Sequence, residues 1–474
     1  MPLRTANIIG SGPNGLAAAI TLAQRGVAVT VYERNSQIGG ACSSAEVTLP
    51  GFLHDLGSSV YPLGVCSPFF KSLPLEQFGL RWIEPPIPLA HPLDDGTAVL
   101  LEHSLDATAT QFSSHDAQAW HSLLASSVRD WPKLVEDITR PLLRLPSSPI
   151  AVATFGMAAL WPAQTLARRV FRDEPARALF AGCAAHSVLP LSHIASSATG
   201  LVMAASAQTT GWPIIAGGAQ SLSNALAATL ESLGGRILLN AEVDNLATLP
   251  PADATLFDTS IDSLTRIAGD ALSPAFRTRL SRFRPGPGIF KLDWALDAPI
   301  PWRNPACARA ATVHLGGTLE EIARSEHDAF YGRHSVNPFV LLVQPSLFDP
   351  SRAPAGKHTA WAYCHVPNGS TEDLTEVIES QVTRFAPDFR DTILVRRASN
   401  SAALAAWNPN LRGGDISGGA MTLSQLLFRP TASGYRTGNP GVYLCSSSTP
   451  PGGGVHGMCG TLAALAAYHD LQRS

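Results

Sequence analysis

The chain has 474 residues, too many for one ordinary domain, so two or three are expected. Apolar residues make up 45% and charged residues 15%, enough for a large core, and a formal net charge of −3 gives no electrostatic reason to expect nucleic acid. Seven cysteines, odd in number and without a CxxC pair or an HExxH companion, argue for free thiols in a reducing compartment and against a disulfide framework or a metal cage. Only MPLRT precedes the first apolar run, too short for a signal peptide. The most apolar stretch, Ser148 to Leu160 (SPIAVATFGMAAL), falls short of the roughly 20 residues of a spanning helix. The expectation is a cytoplasmic protein, soluble or attached to a membrane surface.

Taken in order, Ala6 to Gly10 reads as a buried parallel strand, Leu16 to Arg25 as a helix stopped by Gly26, and Val27 to Glu33 as a second strand ending on a carboxylate. Gly10-Ser-Gly12-Pro13-Asn14-Gly15 opens this strand–helix–strand unit, the context in which GxGxxG binds a dinucleotide. Gly10 permits the turn, Gly12 lets backbone approach a pyrophosphate, and Gly15 allows close helix–strand packing. The free N–H groups of the helix start face the diphosphate, and Glu33 is placed to accept from the adenosine ribose. Arg34 follows it directly.

Downstream, Asp94-Asp95-Gly96 marks a hairpin between about Glu76 and Glu102, and Leu105 to Ala207 is mostly helical with Pro breaks. Between Arg177 and Glu231 no Lys, Arg, Asp or Glu occurs. That stretch reads as helical core, or as the wall of a lipophilic tunnel or a surface dipping into lipid. Gly217-Gly218 precede an amphipathic helix closed by Gly234-Gly235; strands follow at Ile237 to Asn240 and in ATLFDTS (254–260). FKLDWAL (290–296) alternates, with Lys291 and Asp293 on one face and Phe290, Leu292 and Trp294 on the other. With Phe339 to Gln344 and TAWAYCHV (359–366), it predicts a second, largely antiparallel sheet between about 280 and 430.

The doubled glycine Gly39-Gly40, shortly after the second strand, is similar to that of flavoproteins of the glutathione-reductase class, where it approaches the FAD diphosphate; Ala41 stands where that family usually has Arg. No second GxGxxG unit for NAD(P)H and no redox CxxxxC is present. With PGFLHDLGSSVYP, which holds Ser58 and Ser59, with GGAQSLSNAL, and with the closing GVYLCSSSTPPGGGVHGMCGTLAAL, nearly the whole chain resembles the phytoene desaturase-related FAD-dependent oxidoreductases of the amine-oxidase-like flavoprotein superfamily. Within it, the resemblance extends to the subgroup named pyridine nucleotide-disulfide oxidoreductase domain-containing protein 2, although the disulfide machinery is missing.

The resemblance implies an α/β fold: a Rossmann-like FAD-binding domain of the glutathione-reductase class (residues 1–75, 208–275 and 430–474) and an α+β substrate domain, mainly antiparallel sheet plus helices (76–207 and 276–429). It implies FAD as cofactor, Val243 near the adenine, and Gly454, Val455 and His456 near the flavin, with a last helix from about Gly457 stabilising charge on reduced flavin. The implied reaction is hydride transfer from an apolar, isoprenoid- or carotenoid-like substrate to flavin, with oxygen, quinone or NAD(P) open as acceptor. An amine or amino-acid oxidase, a flavin-dependent saturase or isomerase, and a non-enzymatic module like GDP dissociation inhibitors remain alternatives. Three catalytic candidates follow. His456 is a proton shuttle or a structural hydrogen bond. Lys291 lies where amine oxidases hold a water by a lysine, or is an ion pair with Asp293. Asp415 lines the substrate site or caps its own turn. Expected partners are a small lipophilic substrate and, peripherally, a membrane.

Overall fold

The structure is a computed structural model in which residues 4–473 are described. Five parallel strands form the first sheet. Thr5–Ile9 pairs with Ala28–Tyr32 on one side and Ala254–Phe257 on the other, while Arg236–Leu238 and Val442–Leu444 form the edges. Distant segments of the chain therefore build one sheet, as a doubly wound fold requires. The helix Pro13–Ala23 begins three residues earlier than apolar spacing predicts, because Pro13 supplies a preset φ at the first position. It packs on Met458–Leu471 through Ala17, Ala18, Ala463 and Ala464. The approach is close: a Cβ on Gly460 would stand 1.8 Å from the Asn14 carbonyl oxygen.

The second sheet has seven strands in the order Ile393–Ser399, Gly288–Leu296, His358–Val366, Val340–Val343, Ala310–Leu315, Ile87–Pro92, Ala98–Leu101. All neighbours are antiparallel except Ala310–Leu315 with Ile87–Pro92. One face places Phe290, Leu292, Trp294, Ala362 and Leu342 in an apolar cluster with Ile378, Val382 and Phe385 of the helix Thr375–Phe385. The opposite face carries Lys291, Asp293, Trp361, Tyr363, Leu341 and Thr312. The alternation of FKLDWAL thus holds, but its polar row does not meet bulk water. All nine residues of Gly288–Leu296 are buried, and Lys291 is 2% exposed.

What covers that row is the first half of the chain. Asp55, at the end of the short strand Leu53–Asp55, pairs with Arg352 at zero side-chain exposure on both sides. The same carboxylate accepts from Ala219 N–H (2.8 Å) and from the Ser44 and Ser59 hydroxyls, and the Asp55 carbonyl accepts from Lys291 Nζ at 3.1 Å. Asp349 flanks Arg352 (3.3 Å) and accepts from Gly217 N–H (2.8 Å). A buried charge survives only when paired and hydrogen-bonded, and here each is.

Seven helices fill Leu105–Ala109 to Ser196–Ala207 around Trp120, Phe171 and Phe180. Within the uncharged stretch Leu179 and Phe180 are core, whereas Ala198, Thr199 and Val202 line a cavity. The helix Pro149–Ala159 is the exception to good packing. Only its Ala151 and Ala159 are buried, while Ile150 is 85% and Met157 70% exposed. Among the described residues no single helix is long and apolar enough to cross a membrane.

Candidate functional site

A cavity of about 660 Å³ is lined jointly by the loops of the parallel sheet, the polar face of the mixed sheet and the helical walls. At the loop end, Gly10, Gly12, Pro13 and Asn14 form part of the wall. Gly12 is the N-cap of Pro13–Ala23 and no side chain caps that helix, so its first N–H groups are free for an anion. Asn14 Oδ1 is buried with no partner in the protein. Gly15 is not on the wall. It packs behind, where a Cβ would meet the Gly10 carbonyl oxygen at 2.2 Å, and its N–H donates to Asp258 Oδ2 at 2.8 Å. Gly39 also sits one layer back, its N–H donating to the Ser11 carbonyl (3.1 Å); Gly40, Ala41, Ser58 and Ser59 reach the cavity. Gly15 thus packs the helix against the strand, and Gly39 lies behind Gly40.

Glu33 is 5% exposed and fully engaged. One oxygen accepts from Ser11 N–H (3.0 Å) and Oγ–H (2.6 Å), the other from Asn35 N–H (2.9 Å) and Nδ2–H (2.8 Å). A carboxylate has about four acceptor sites, all used here, so a ribose hydroxyl at Glu33 would have to replace the Ser11 hydroxyl or the Asn35 amide. Arg34 lines the cavity and donates to the Trp407 carbonyl (3.0 Å). Val243, 6% exposed, closes the same end with Ala241, whose N–H donates to the Glu33 carbonyl (2.8 Å).

Two features of this end escape the sequence reading. Asp258, directly after the strand Ala254–Phe257, lies buried beneath the glycine loop. Burial pushes its carboxyl up to about 7; the Gly15 N–H bond opposes the shift and the nearby Glu33 charge adds to it. The segment Trp407 to Leu411 forms a further wall, anchored where Asn410 Nδ2 donates to the Asp258 carbonyl (3.0 Å) and Oδ1 accepts from Ser260 N–H (2.7 Å). Its signal in the sequence is Asn408-Pro409-Asn410, a turn cluster that says nothing of where it docks.

At the C-terminal glycine segment, Gly453, Gly454, Val455 and His456 line the cavity. His456 Nδ1 accepts from Met458 N–H (3.1 Å) at the start of Met458–Leu471, and its backbone carbonyl accepts from Ser67 Oγ–H (2.6 Å). Burial lowers the ring to about 4, so it is neutral with Nδ1 already committed. That bond ties the ring to the first turn of the helix that follows Gly457. Asp415 likewise lies on the wall, but its oxygens accept from Gly286, Ser417 and Gly419 N–H groups at 2.7–2.8 Å. It anchors the loop. Lys291 is held by Asp293, by the Asp55 carbonyl, and by the Trp361 ring with Nζ 5.3 Å from its centroid. The cation is fixed at the wall and its ion pair is real. Cys445 and Cys459 are free and buried, as are the other five cysteines.

The parallel sheet, the uncapped helix start and the cavity shared with a second sheet define a dinucleotide-binding fold, and a sequence comparison gives the family. The chain belongs to the flavin containing amine oxidoreductases, whose family model matches residues 14–460. A mouse protein called pyridine nucleotide-disulfide oxidoreductase domain-containing protein 2 is 29% identical, over 99% of this chain and 94% of its own length. A 4,4'-diapophytoene desaturase (4,4'-diaponeurosporene-forming) of Staphylococcus aureus (strain COL) is 22% identical over 94% of this chain and 95% of its own. The solved cyclohexylamine oxidase from Brevibacterium oxydans IH-35A superposes with a TM-score of 0.64 at 15% identity, covering all of both chains, which speaks for the fold. The protein is an FAD-dependent oxidoreductase, and the uncapped helix start and unpartnered Asn14 Oδ1 fit that cofactor.

Proposed function

We propose that this enzyme dehydrogenates a lipophilic, isoprenoid-like substrate, FAD supplying the hydride-accepting chemistry when bound. The observation that carries the reading is the continuity of one cavity. It runs from the glycine loops to Ile138, Leu142, Phe155 and Val202, apolar residues of the helical walls. Leu142 is itself half exposed and belongs to a surface set with Leu143, Leu145, Ile150, Met157 and Leu160. In the same part of the chain Arg144 pairs with Asp137, and Arg169 stacks over Trp161 at 5.6 Å. Exposed apolar side chains next to the cavity-lining Leu142, with Arg169 and Trp161 nearby in the chain, suit a bilayer surface that holds the substrate.

Amine oxidation is less well served. The acids lining the cavity, among the described residues, are Glu33, Glu242, Asp258 and Asp415. Two of these are tied up by backbone N–H groups or the Ser11 and Asn35 side chains, Asp258 lies under the glycine loop, and Glu242 sits beside Val243. Among the described residues no carboxylate on the helical wall lines the cavity to meet an ammonium ion. The test is anaerobic bleaching of the flavin by a panel of substrates. Isoprenoids presented in vesicles should bleach it, and putrescine and cyclohexylamine should not. Bleaching by the amines alone would overturn the proposal.

A further inference from the structure

The cavity-facing side of the mixed sheet carries polar groups that the protein leaves unpaired. Lys291, Tyr363, Leu341 and His314 stand opposite one another across four strands. Asp293, Trp361, Val343 and Thr312 form the adjacent row. In that second row Trp361 Nε1 and Thr312 Oγ1 have no hydrogen-bond partner within the protein, although the residues are only 5% and 1% exposed. Both residues line the cavity. So does His186, whose Nε2 lies 3.0 Å from His314 Nε2, leaving Nδ1 for the cavity. Burial lowers His186 to about 3, so it is a neutral ring.

We infer that the substrate is an amphiphile, an apolar chain carrying an oxygen-bearing end (hydroxyl, aldehyde or carboxylate) that accepts hydrogen bonds from Trp361 and Thr312. This rests on the lipophilic reading above and narrows it. An indole N–H donates only, so the group facing it is an acceptor. A bare hydrocarbon would bury that donor and the Thr312 hydroxyl unsatisfied, which is the costly outcome. Sites built to hydrogen-bond a substrate oxygen discriminate strongly against the analogue lacking it. One strand separates the two residues, so their backbones are about 10 Å apart, and the indole spans much of that gap. Lys291 on the same face is paired with Asp293, so that face presents no net charge to favour an ionic end. The helical walls, with Ile138, Leu142, Phe155 and Val202, take the chain.

The test measures binding of four fifteen-carbon probes, farnesene, farnesol, farnesal and farnesoic acid, to the FAD-loaded enzyme in detergent, by the shift of the flavin spectrum and by calorimetry. Wild type should bind the best oxygenated probe about tenfold or more tighter than farnesene, the size of one to two satisfied hydrogen bonds. In the double variant Thr312→Val, Trp361→Phe the gap should close, the oxygenated probes binding more weakly and farnesene, no longer burying unpaired polar groups, binding more tightly. Farnesene binding as tightly as the others to wild type overturns this inference and leaves the lipophilic reading standing; a gap that persists in the double variant does the same. Failure of all four to bind overturns both. The wild-type comparison decides without any variant.

Discussion

Asp258→Asn offers the sharpest check on the cofactor end. The carboxyl has an ordinary value of 3.8 and is pushed up to about 7 by burial beneath the glycine loop. Between roughly pH 4 and 7 the folded chain therefore keeps a proton that the unfolded chain has released. Stability falls as pH rises through that window, and the full penalty stands above pH 7. At about 1.4 kcal/mol per pH unit the penalty amounts to about 4 kcal/mol at pH 8. The groups interacting with Asp258 include Glu33, Cys445, Cys459 and the Gly15 N–H, and no cation among these offsets the charge. Asparagine keeps an acceptor for Gly15 and carries no charge. Urea unfolding of the cofactor-free variant, followed by tryptophan fluorescence, should show it more stable than wild type by about 2 kcal/mol at pH 5, where the unfolded carboxyl is already ionised, and by up to about 4 kcal/mol at pH 8. The same carboxyl links FAD to protons: the diphosphate brings negative charge, so binding at pH 8 should take up a proton in wild type and not in the variant. Calorimetry in two buffers of different ionisation enthalpy measures that proton. A wild-type-to-variant difference that stays constant from pH 5 to 8 would refute the reasoning.

Two further outcomes are expected. Arg352→Met leaves Asp55 and Asp349 buried without their cation and should cost about 3–5 kcal/mol in chemical unfolding, with part recovered by adding Asp55→Asn; an unchanged midpoint would show the pair to be dispensable. Leu145→Asp with Ile150→Asp should abolish co-sedimentation with phosphatidylglycerol vesicles while FAD content stays constant, and sedimentation equal to wild type would move the membrane face elsewhere.

Much of the cofactor end is legible because local signals coincide there. Gly10 to Gly15, the two flanking strands and Glu33 lie within about 30 residues, and each constraint can be read from its neighbours. The mixed sheet is less so. Ile393–Ser399 (ILVRRAS) is an edge strand whose arginines lean outward, Arg396 reaching the buried Glu379 at 2.7 Å, so composition hides it. Ala310–Leu315 follows an alanine-rich run without a turn signal and passes unnoticed. Lys291 and Asp293 show why alternation alone misleads: period two fixes that they share a face, and nothing local tells that Asp55, 236 residues earlier, covers it. Asp258 and Asn410 belong to the site for the same reason, by contacts between segments far apart in the chain.

The Asp55–Arg352–Asp349 cluster has a bearing on how the enzyme can move. It rivets the start of the helix Ala219–Ser232, the strand Leu53–Asp55 and the sheet strand holding Lys291 to a single point. Hinge opening between the cofactor loops and the mixed sheet would have to pull bare charges apart in a dry interior. The floor of the cavity is thus a fixed anvil, and traffic is left to the thinly packed helical roof, where Pro149–Ala159 holds on by two alanines.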